Sequence, residues 1–446
     1  MTPYPIDGLK HSLWFDTAVA PPSTTTLTES LSTQVLVIGA GITGLNAAIE
    51  LAENGTDVVV LEAGVVGGGA SGRNGGQVNL GLNLSPDELV RHYGQKAAEP
   101  LIHAICRTPA TVFDRIRSKG MDCDAEQNGW IQGAVTDKRL DALGKLAEEF
   151  DRHGLTMEVL DSAAIGQRAG TQRYVGGLFV EQAGSIQPLS YTRELARVAM
   201  AAGAKVYTHS AVQTLKRAAS SGGWMVSTGV GQVRCEQVLV CTNGYTDKTV
   251  SGLAKKVVPA RSIQVATEPL SKELQAKILP HRTTLVDKRR MVLYSRYDRD
   301  GRLTMGDHGP MRDQFCEDDF NDVKQRAIEV FPELESVRWD YHWGGRLAIT
   351  KDHLPFLFAP TPDLLVGMGY NGRGVGMGTM LGMAMASKLL GKDAEQAFMP
   401  VTTPNEYIFH AFHELGAELV IRWEQLLDRL EDSQAQAAQT TKAAHS

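Results

Sequence analysis

The chain has 446 residues, 43% of them hydrophobic and 22% charged, with a formal net charge of −6. That composition suits a globular protein with a sizeable core and excludes an electrostatic footprint for nucleic acid or an anionic membrane surface. The short basic runs Lys255-Lys256 and Lys288-Arg289-Arg290 read as solvated turns.

Residues 1–32 are polar and read as an irregular surface arm, with Trp14 tucked into a groove. Residues 34–39 form a short β-branched run ending in glycine, the pattern of a buried parallel strand. A helix is predicted over 42–54 with Gly55 as its stop, then a strand over 57–62, completing a βαβ unit. Helical periodicity covers 86–120 and 136–153, and residues 172–188 alternate toward Gly184. A helix at 190–203 precedes a strand at 205–210, and strand pairs follow over 223–241. The span 259–310 is strand-rich, with a turn at Asp298-Arg299-Asp300-Gly301, and 317–331 is helical. A strand near 363–367 leads through a glycine-rich turn into a helix at 374–390. The segment 404–430 is an amphipathic helix, and the Ala/Gln/Thr-rich end reads as disordered.

These elements predict an α/β (α+β) chain whose Rossmann-like, dinucleotide-binding domain is discontinuous. The expected division is an arm at 1–32, a cofactor domain at 33–90, 185–250 and 355–395, and a mixed or antiparallel-sheet substrate domain at 91–184 and 251–354. C-terminal helices at 396–430 and a disordered tail at 431–446 complete it. Cys106, Cys123, Cys235, Cys241 and Cys316 are odd in number, widely spaced and lack a CxxC pair, which predicts reduced thiols and no zinc site. The sequence opens without a basic-then-apolar leader, and its apolar runs fall short of the roughly 18 residues of a membrane span, so a cytoplasmic chain is expected.

Gly39-Ala40-Gly41-Ile42-Thr43-Gly44 is a GxGxxG placed between strand and helix. Gly39 permits the tight turn, Gly41 lets the backbone approach a pyrophosphate, and Gly44 lets the helix pack on the strand. The phosphates then face unpaired N–H groups at the positive end of the helix. Glu62, ending the second strand, is the acidic residue for a ribose hydroxyl. This unit alone allows NAD or FAD. The glycine-rich run Gly67 to Gln77 that follows makes a backbone able to lie against a flat ring system.

Within it, Gly69-Ala70-Ser71-Gly72-Arg73-Asn74-Gly75-Gly76-Gln77 resembles the second flavin-contact loop of the D-amino-acid-oxidase superfamily of FAD enzymes. That superfamily includes sarcosine, glycine, pipecolate and γ-glutamylputrescine oxidases. Val238 to Gly244 is similar to its returning strand, and Gly367 to Gly376 to its final flavin turn, where helix N-terminal amides face the ring and stabilise negative charge on it. The resemblance spans about 33–395 and implies FAD as cofactor. It implies contacts from Gly39, Gly41, Ile42, Thr43, Gly44, Glu62, Ala63, Ala70, Ser71, Gly72, Asn74, Gly75, Gly76 and Gln77. Val212, Thr242, Asn243, Gly244, Gly345, Asn371, Gly372, Arg373, Gly374 and Val375 complete that set.

The activity it implies is oxidation of a C–N bond in a carboxylate-bearing amine or amino acid. Hydride passes to flavin N5, the imine hydrolyses, and O2 or another acceptor reoxidises the flavin. Arg346, in Trp343-Gly344-Gly345-Arg346-Leu347, matches the segment carrying the family's substrate-carboxylate arginine, although Leu347 stands where the family has proline. The alternative for Arg346 is an ion pair with Asp352 or Asp340. Tyr294, Tyr370 and Arg373 are further pocket candidates, Gln77 and Trp130 possible walls, and His308, His342 and His353 read as surface or core histidines. L-Pipecolate is the first expected substrate. The whole chain is at least as similar to γ-glutamylputrescine oxidase, and a quinone-linked dehydrogenase is a third reading.

Overall fold

Val35 to Ile38 and Val58 to Leu61 are apolar without alternation. A computed structural model, describing residues 7–218, 222–287, 289–393 and 395–444, buries every one of them. The strands Ser30–Ile38 and Val58–Leu61 run parallel, with Ile38 opposite Leu61, and Gln232–Val240 lies parallel on the other side, with Val240 opposite Ile38. Lys205–Tyr207 and Leu364–Met368 extend this parallel sheet at its two edges, and Phe356–Thr361 adds an antiparallel strand beside Leu364–Met368. A hairpin of Thr214–Arg217 and Trp224–Ser227 branches from Gln232–Val240. Continuous apolar strands of this kind need both faces covered. Helices Ile42–Glu53, Pro188–Ala201 and Gly374–Leu389 belong to the same unit, which comprises residues up to Ala125, Ile186–Ala260 and Gly345–His410.

The second unit comprises Glu126–Ser185, Arg261–Gly344 and the chain from Ala411 onward. Its eight-stranded sheet runs in the order Trp339–Ile349, Val258–Pro269, Arg302–His308, Leu293–Tyr297, Thr284–Asp287, Trp130–Ala134, Gly176–Val180, Glu158–Asp161. Pairing is antiparallel from Val258–Pro269 to Thr284–Asp287, parallel between Thr284–Asp287 and Trp130–Ala134, and antiparallel again beyond. Alternate residues Ile131, Leu285, Leu303, Met305 and Val265 share a core with Val323, Ala327 and Val330 of the helix Asn321–Val330. The residues between them point to the other face, as the two-residue period of a strand requires.

Several expectations are corrected. The arm is an anchored element: Leu9, Leu13 and Trp14 are fully buried, Ser12 caps the helix Leu13–Thr17, and Gln187 donates to the Trp14 carbonyl at 2.8 Å. The 86–120 stretch is helical as its periodicity predicts, divided into Pro86–Tyr93, Gln95–Cys106 and Thr108–Ser118 by breaks at Gly94 (φ +77°) and Arg107. Residues 91–125, expected in the substrate domain, cluster with the first unit. The strand expected at 205–210 stops at Tyr207, because His209 takes a left-handed φ of +50°. The final helix runs His413–Ala444, so the tail described through 444 is helical; its alanines, the strongest helix formers, outweigh its polarity. Residues 445–446 lie outside the described residues. The basic runs are not simply solvated: Lys256 is buried and donates to the Pro404 carbonyl, and Arg289 is buried 3.0 Å from Asp287. Lys288 lies outside the described residues.

Candidate active site

The glycine turn is built from backbone contacts that a side chain would break. Gly39 has φ +109°, and a Cβ there would lie 2.9 Å from the Cys241 carbonyl oxygen. A Cβ on Gly44 would sit 2.0 Å from Gly39 O, so the helix lies directly on the turn that starts it. A Cβ on Gly41 would meet Ser71 Oγ at 2.7 Å, and that hydroxyl accepts the Ile42 N–H at 3.0 Å. The helix has Gly41 as N-cap and no acidic residue in its first turn, so its own side chains leave the positive end of the macrodipole uncompensated. Glu62 is 4% exposed; one carboxylate oxygen accepts Ala40 N–H and the other Gly64 N–H, each at 2.9 Å. A carboxylate oxygen has room for more than one donor, so this fixed acceptor pair at a strand end suits vicinal hydroxyls.

The loop that follows is tied to the same turn. Gly67 N–H donates to Ala40 O at 3.3 Å, and Gly72 N–H closes onto Gly67 O at 2.9 Å around the single helical turn Ala70–Gly72. Asn74 staples the loop: its amide donates to Ala70 O and Ser71 O, and its oxygen accepts Gly76 N–H at 2.8 Å. Trp14 Nε1 donates to Asn74 O at 2.9 Å, so the N-terminal arm secures the loop from outside. Gln77 Oε1 accepts from Asn79 at 3.0 Å. Arg73 is buried, donates through Nε to Gly68 O, and presses its stem on Gly345, where a Cβ would come within 3.1 Å.

Two further turns converge in this unit. Asn243 (φ +43°) accepts Gly369 N–H on its side-chain oxygen at 3.0 Å, and Gly244 packs on the backbone of Leu347. Thr242 and Thr246 hydroxyls lie 2.6 Å apart. Asn371 (φ +49°) accepts Thr350 N–H at 2.9 Å and donates to Gly369 O at 2.6 Å. Gly372 has φ +87° with open space around it, and Arg373, the N-cap of the helix Gly374–Leu389, donates to Asn83 at 2.8 Å. That helix meets Ile42–Glu53 through glycine: a Cβ on Gly382 would lie 2.3 Å from Thr43 O, and one on Gly378 3.0 Å from Thr43 Oγ1. Val212 is 1% exposed, its side chain part of the sheet's core.

Of the three catalytic candidates, Arg346 directly follows Gly345, and Tyr370 lies between Gly369 and Asn371. The Arg346 guanidinium lies 5.5 Å from the Tyr245 ring centroid, and the backbone N–H of Arg346 donates to the Tyr245 hydroxyl at 3.4 Å. Asp340 accepts from Arg338, and Asp352 from Leu354 N–H and Asn405. Tyr370 is buried with its hydroxyl 2.6 Å from Thr43 Oγ1 and 3.3 Å from Gly367 O, which makes it a tie between two turns; burial raises its pKa. Tyr294 belongs to the second unit, its ring lying over Gly306 and its hydroxyl 3.0 Å from Ser262 Oγ, and burial likewise raises its pKa. Trp130 is buried in that unit too. His308 pairs with Asp307 at 2.6 Å, His342 lies 4.8 Å from the Phe320 ring, and His353 occupies a turn at φ +57°. Arg73 and Tyr245, absent from the residues expected at the site, make contacts with Gly345 and Arg346 respectively. Both adjoin recognised glycine motifs in sequence, and that adjacency was the available signal. All five cysteines are free; Cys241, beside Gly39, is pushed up to about 12 by burial and holds almost no thiolate at neutral pH.

The cradle fits a dinucleotide. Added Cβ atoms collide at Gly39, Gly41 and Gly44, and a buried carboxylate is pinned at the neighbouring strand end. The profile of the family described as FAD dependent oxidoreductase (DAO) matches residues 34–388. Gamma-glutamylputrescine oxidoreductase of Escherichia coli is 33% identical over 83% of this chain and 86% of its own. Probable oxidoreductase OrdL of Haemophilus influenzae is 30% identical over 94% and 97%. The solved glycine oxidase of Geobacillus kaustophilus shares the fold at a TM-score of 0.69, with 21% identity over 81% of this chain and 95% of that one. With a glycine cradle, a pinned acceptor and a flavin-type loop in one unit, this chain belongs to the FAD dependent oxidoreductase (DAO) family and is an FAD-dependent oxidoreductase.

Proposed function

We propose that the enzyme oxidises the C–N bond of an amine that carries a carboxylate, with a γ-glutamylated diamine of the γ-glutamylputrescine type as the first candidate. The observation that carries this is Arg346, held across the Tyr245 ring immediately after the glycine that packs on the flavin-type loop. A guanidinium so oriented offers a planar fork to a carboxylate. Similarity to a relative named for γ-glutamylputrescine supports this substrate ahead of L-pipecolate. Bound FAD supplies a two-electron acceptor for a carbon next to nitrogen. The amides of Gly39 to Gly44 and the helix end behind them hold the pyrophosphate, and Glu62 takes the ribose hydroxyls. The loop Ala70 to Gln77, Asn243, Asn371 and the helix opening at Gly374 and Val375 hold the ring. Tyr370 serves as a brace.

Anaerobic bleaching of the bound flavin tests this across γ-glutamylputrescine, putrescine, L-pipecolate and a panel of D- and L-amino acids. Bleaching is expected to be fastest with γ-glutamylputrescine and poor with putrescine, which lacks the carboxylate. Charge-assisted hydrogen bonds contribute about 1.5–3 kcal/mol, so Arg346→Ala should raise KM for the carboxylated amine about 10- to 100-fold with kcat little changed. Equal rates with and without the carboxylate, or an unchanged KM in Arg346→Ala, would overturn the reading. Peroxide yield in air against turnover with an artificial acceptor separates oxidase from dehydrogenase.

A further inference from the structure

The helix His413–Ala444 turns its polar side inward. Glu431 binds Arg139 at 2.8 Å and Arg290 at 2.6 Å, and Glu424 binds Arg290 at 3.2 Å. Asp428 is buried and accepts the backbone N–H groups of Arg290 and Met291 at 3.2 and 2.9 Å. Gln425 lies 3.1 Å from His308 Nε2. At 3.6 residues per turn these four residues share one side of the helix. The opposite side carries Leu415, Leu419, Trp423, Leu426 and Leu430, which are 48–61% exposed, flanked by Val420 and preceded by Phe412 at 67%. A helix resting on a globular unit ordinarily buries its apolar stripe and exposes its charges. Here the ion pairs fix the helix on its own unit and leave the stripe outward.

We propose that this stripe is the interface of a homodimer, in which the helix pairs antiparallel with the same helix of a second copy. Spacings of four, four, three and four residues make it a continuous seam of the kind that meshes with another helix. The seven side chains expose on the order of 800 Å², more than the ~300–600 Å² of a typical monomer's largest apolar patch and about what one partner contributes to a stable interface. The stripe is self-complementary. With a two-fold axis crossing beside residue 421, Phe412 meets Leu430 of the second copy, and Leu419 meets its Trp423. Leu426 then meets the exposed Gly416, around which an added Cβ finds no atom within 4 Å. That is the geometry of an isologous contact, with Trp423 close to its centre where binding energy concentrates. Charge argues against a membrane as the occupant. The helix carries Glu414, Glu418, Glu424, Asp428, Glu431 and Asp432 against only Arg422, Arg429 and Lys442, whereas surface-seeking helices carry a basic polar face.

Sedimentation equilibrium of the full FAD-loaded chain tests this across micromolar concentrations. The native chain is expected at twice the chain mass. The double variant Leu419→Glu/Trp423→Glu is expected at the chain mass, with flavin content and far-UV circular dichroism unchanged. If that variant misfolds, Gly416→Arg decides: its side chain enters open space in one copy and blocks Leu426 of the other, so it should fold and be monomeric. A monomeric native chain, a dimer that persists in a folded variant, or co-flotation of the native chain with anionic vesicles would each overturn the proposal.

Discussion

Gly382 and Gly144 each sit inside a helix, and intrinsic propensity makes the same forecast for both: alanine gains about 0.5–1 kcal/mol by restricting the unfolded chain and favouring the helix. The structure separates them. Around Gly144 an added Cβ meets nothing within 4 Å, so Gly144→Ala should be stabilising by roughly that amount. At Gly382 the added atom would lie 2.3 Å from the Thr43 carbonyl oxygen and 2.9 Å from Asn46 Cβ. The first falls about 1 Å short of ordinary contact, and a carbonyl inside a helix cannot rotate away, so the two helices must separate; such overpacking costs about 1–3 kcal/mol. Set against the propensity gain, Gly382→Ala should lose about 1–2 kcal/mol of stability. Separation by that distance also opens the 2.6 Å contact between Tyr370 and Thr43, so FAD affinity should fall with stability. Urea unfolding of the two apo variants, with FAD titrations followed by flavin fluorescence, measures both effects. If the two substitutions move stability in the same direction, or Gly382→Ala binds FAD like the native chain, the close-packing argument is refuted.

Three further outcomes follow from particular contacts. Tyr370→Phe deletes a hydroxyl that bridges Thr43 and Gly367 O, so it should cost about 1–2 kcal/mol in unfolding while kcat stays within about twofold; a large loss of kcat at unchanged stability would return Tyr370 to the chemistry. Hydrogen bonds from Arg139 and then Arg290 hold Glu431 down at about 2, against burial, which raises it. A folded pKa below the ordinary one means this contribution is complete above about 4.5 and disappears as pH falls toward about 2. Hydrogen exchange in the helix His413–Ala444 should therefore rise over that window, and Glu431→Gln should remove that pH step. Burial lifts Cys106 to about 11 and Cys123, Cys235 and Cys241 to about 12, while Cys316 is exposed, so a thiol reagent should titrate one cysteine in the native chain and five after denaturation.

The parts of this protein legible in its sequence are those whose causes lie close together along the chain. The strand, glycine turn, helix and Glu62 fall within about thirty residues, so spacing alone carries their geometry. What eluded sequence reasoning depends on partners far away. Lys256 is buried because Pro404 and Glu406 receive its ammonium, and Tyr370 is a brace because Thr43 stands 327 positions earlier. The polar N-terminal arm packs because Gln187 and Asn74 meet Trp14. Glycine was the most ambiguous signal, since a backbone turned toward a ligand and a backbone pressed on another helix require the same residue. The added-Cβ contacts divide the two uses. Gly372, with φ +87° and open surroundings, is there for its conformation, whereas Gly378 and Gly382 are there for closeness to Thr43. The second use serves the first. By locking Gly374–Leu389 onto Ile42–Glu53 at backbone contact, these glycines hold that helix against the second residue of the helix that leaves the GxGxxG turn. The structural glycines thus fix the spacing between elements on which the conformational ones act.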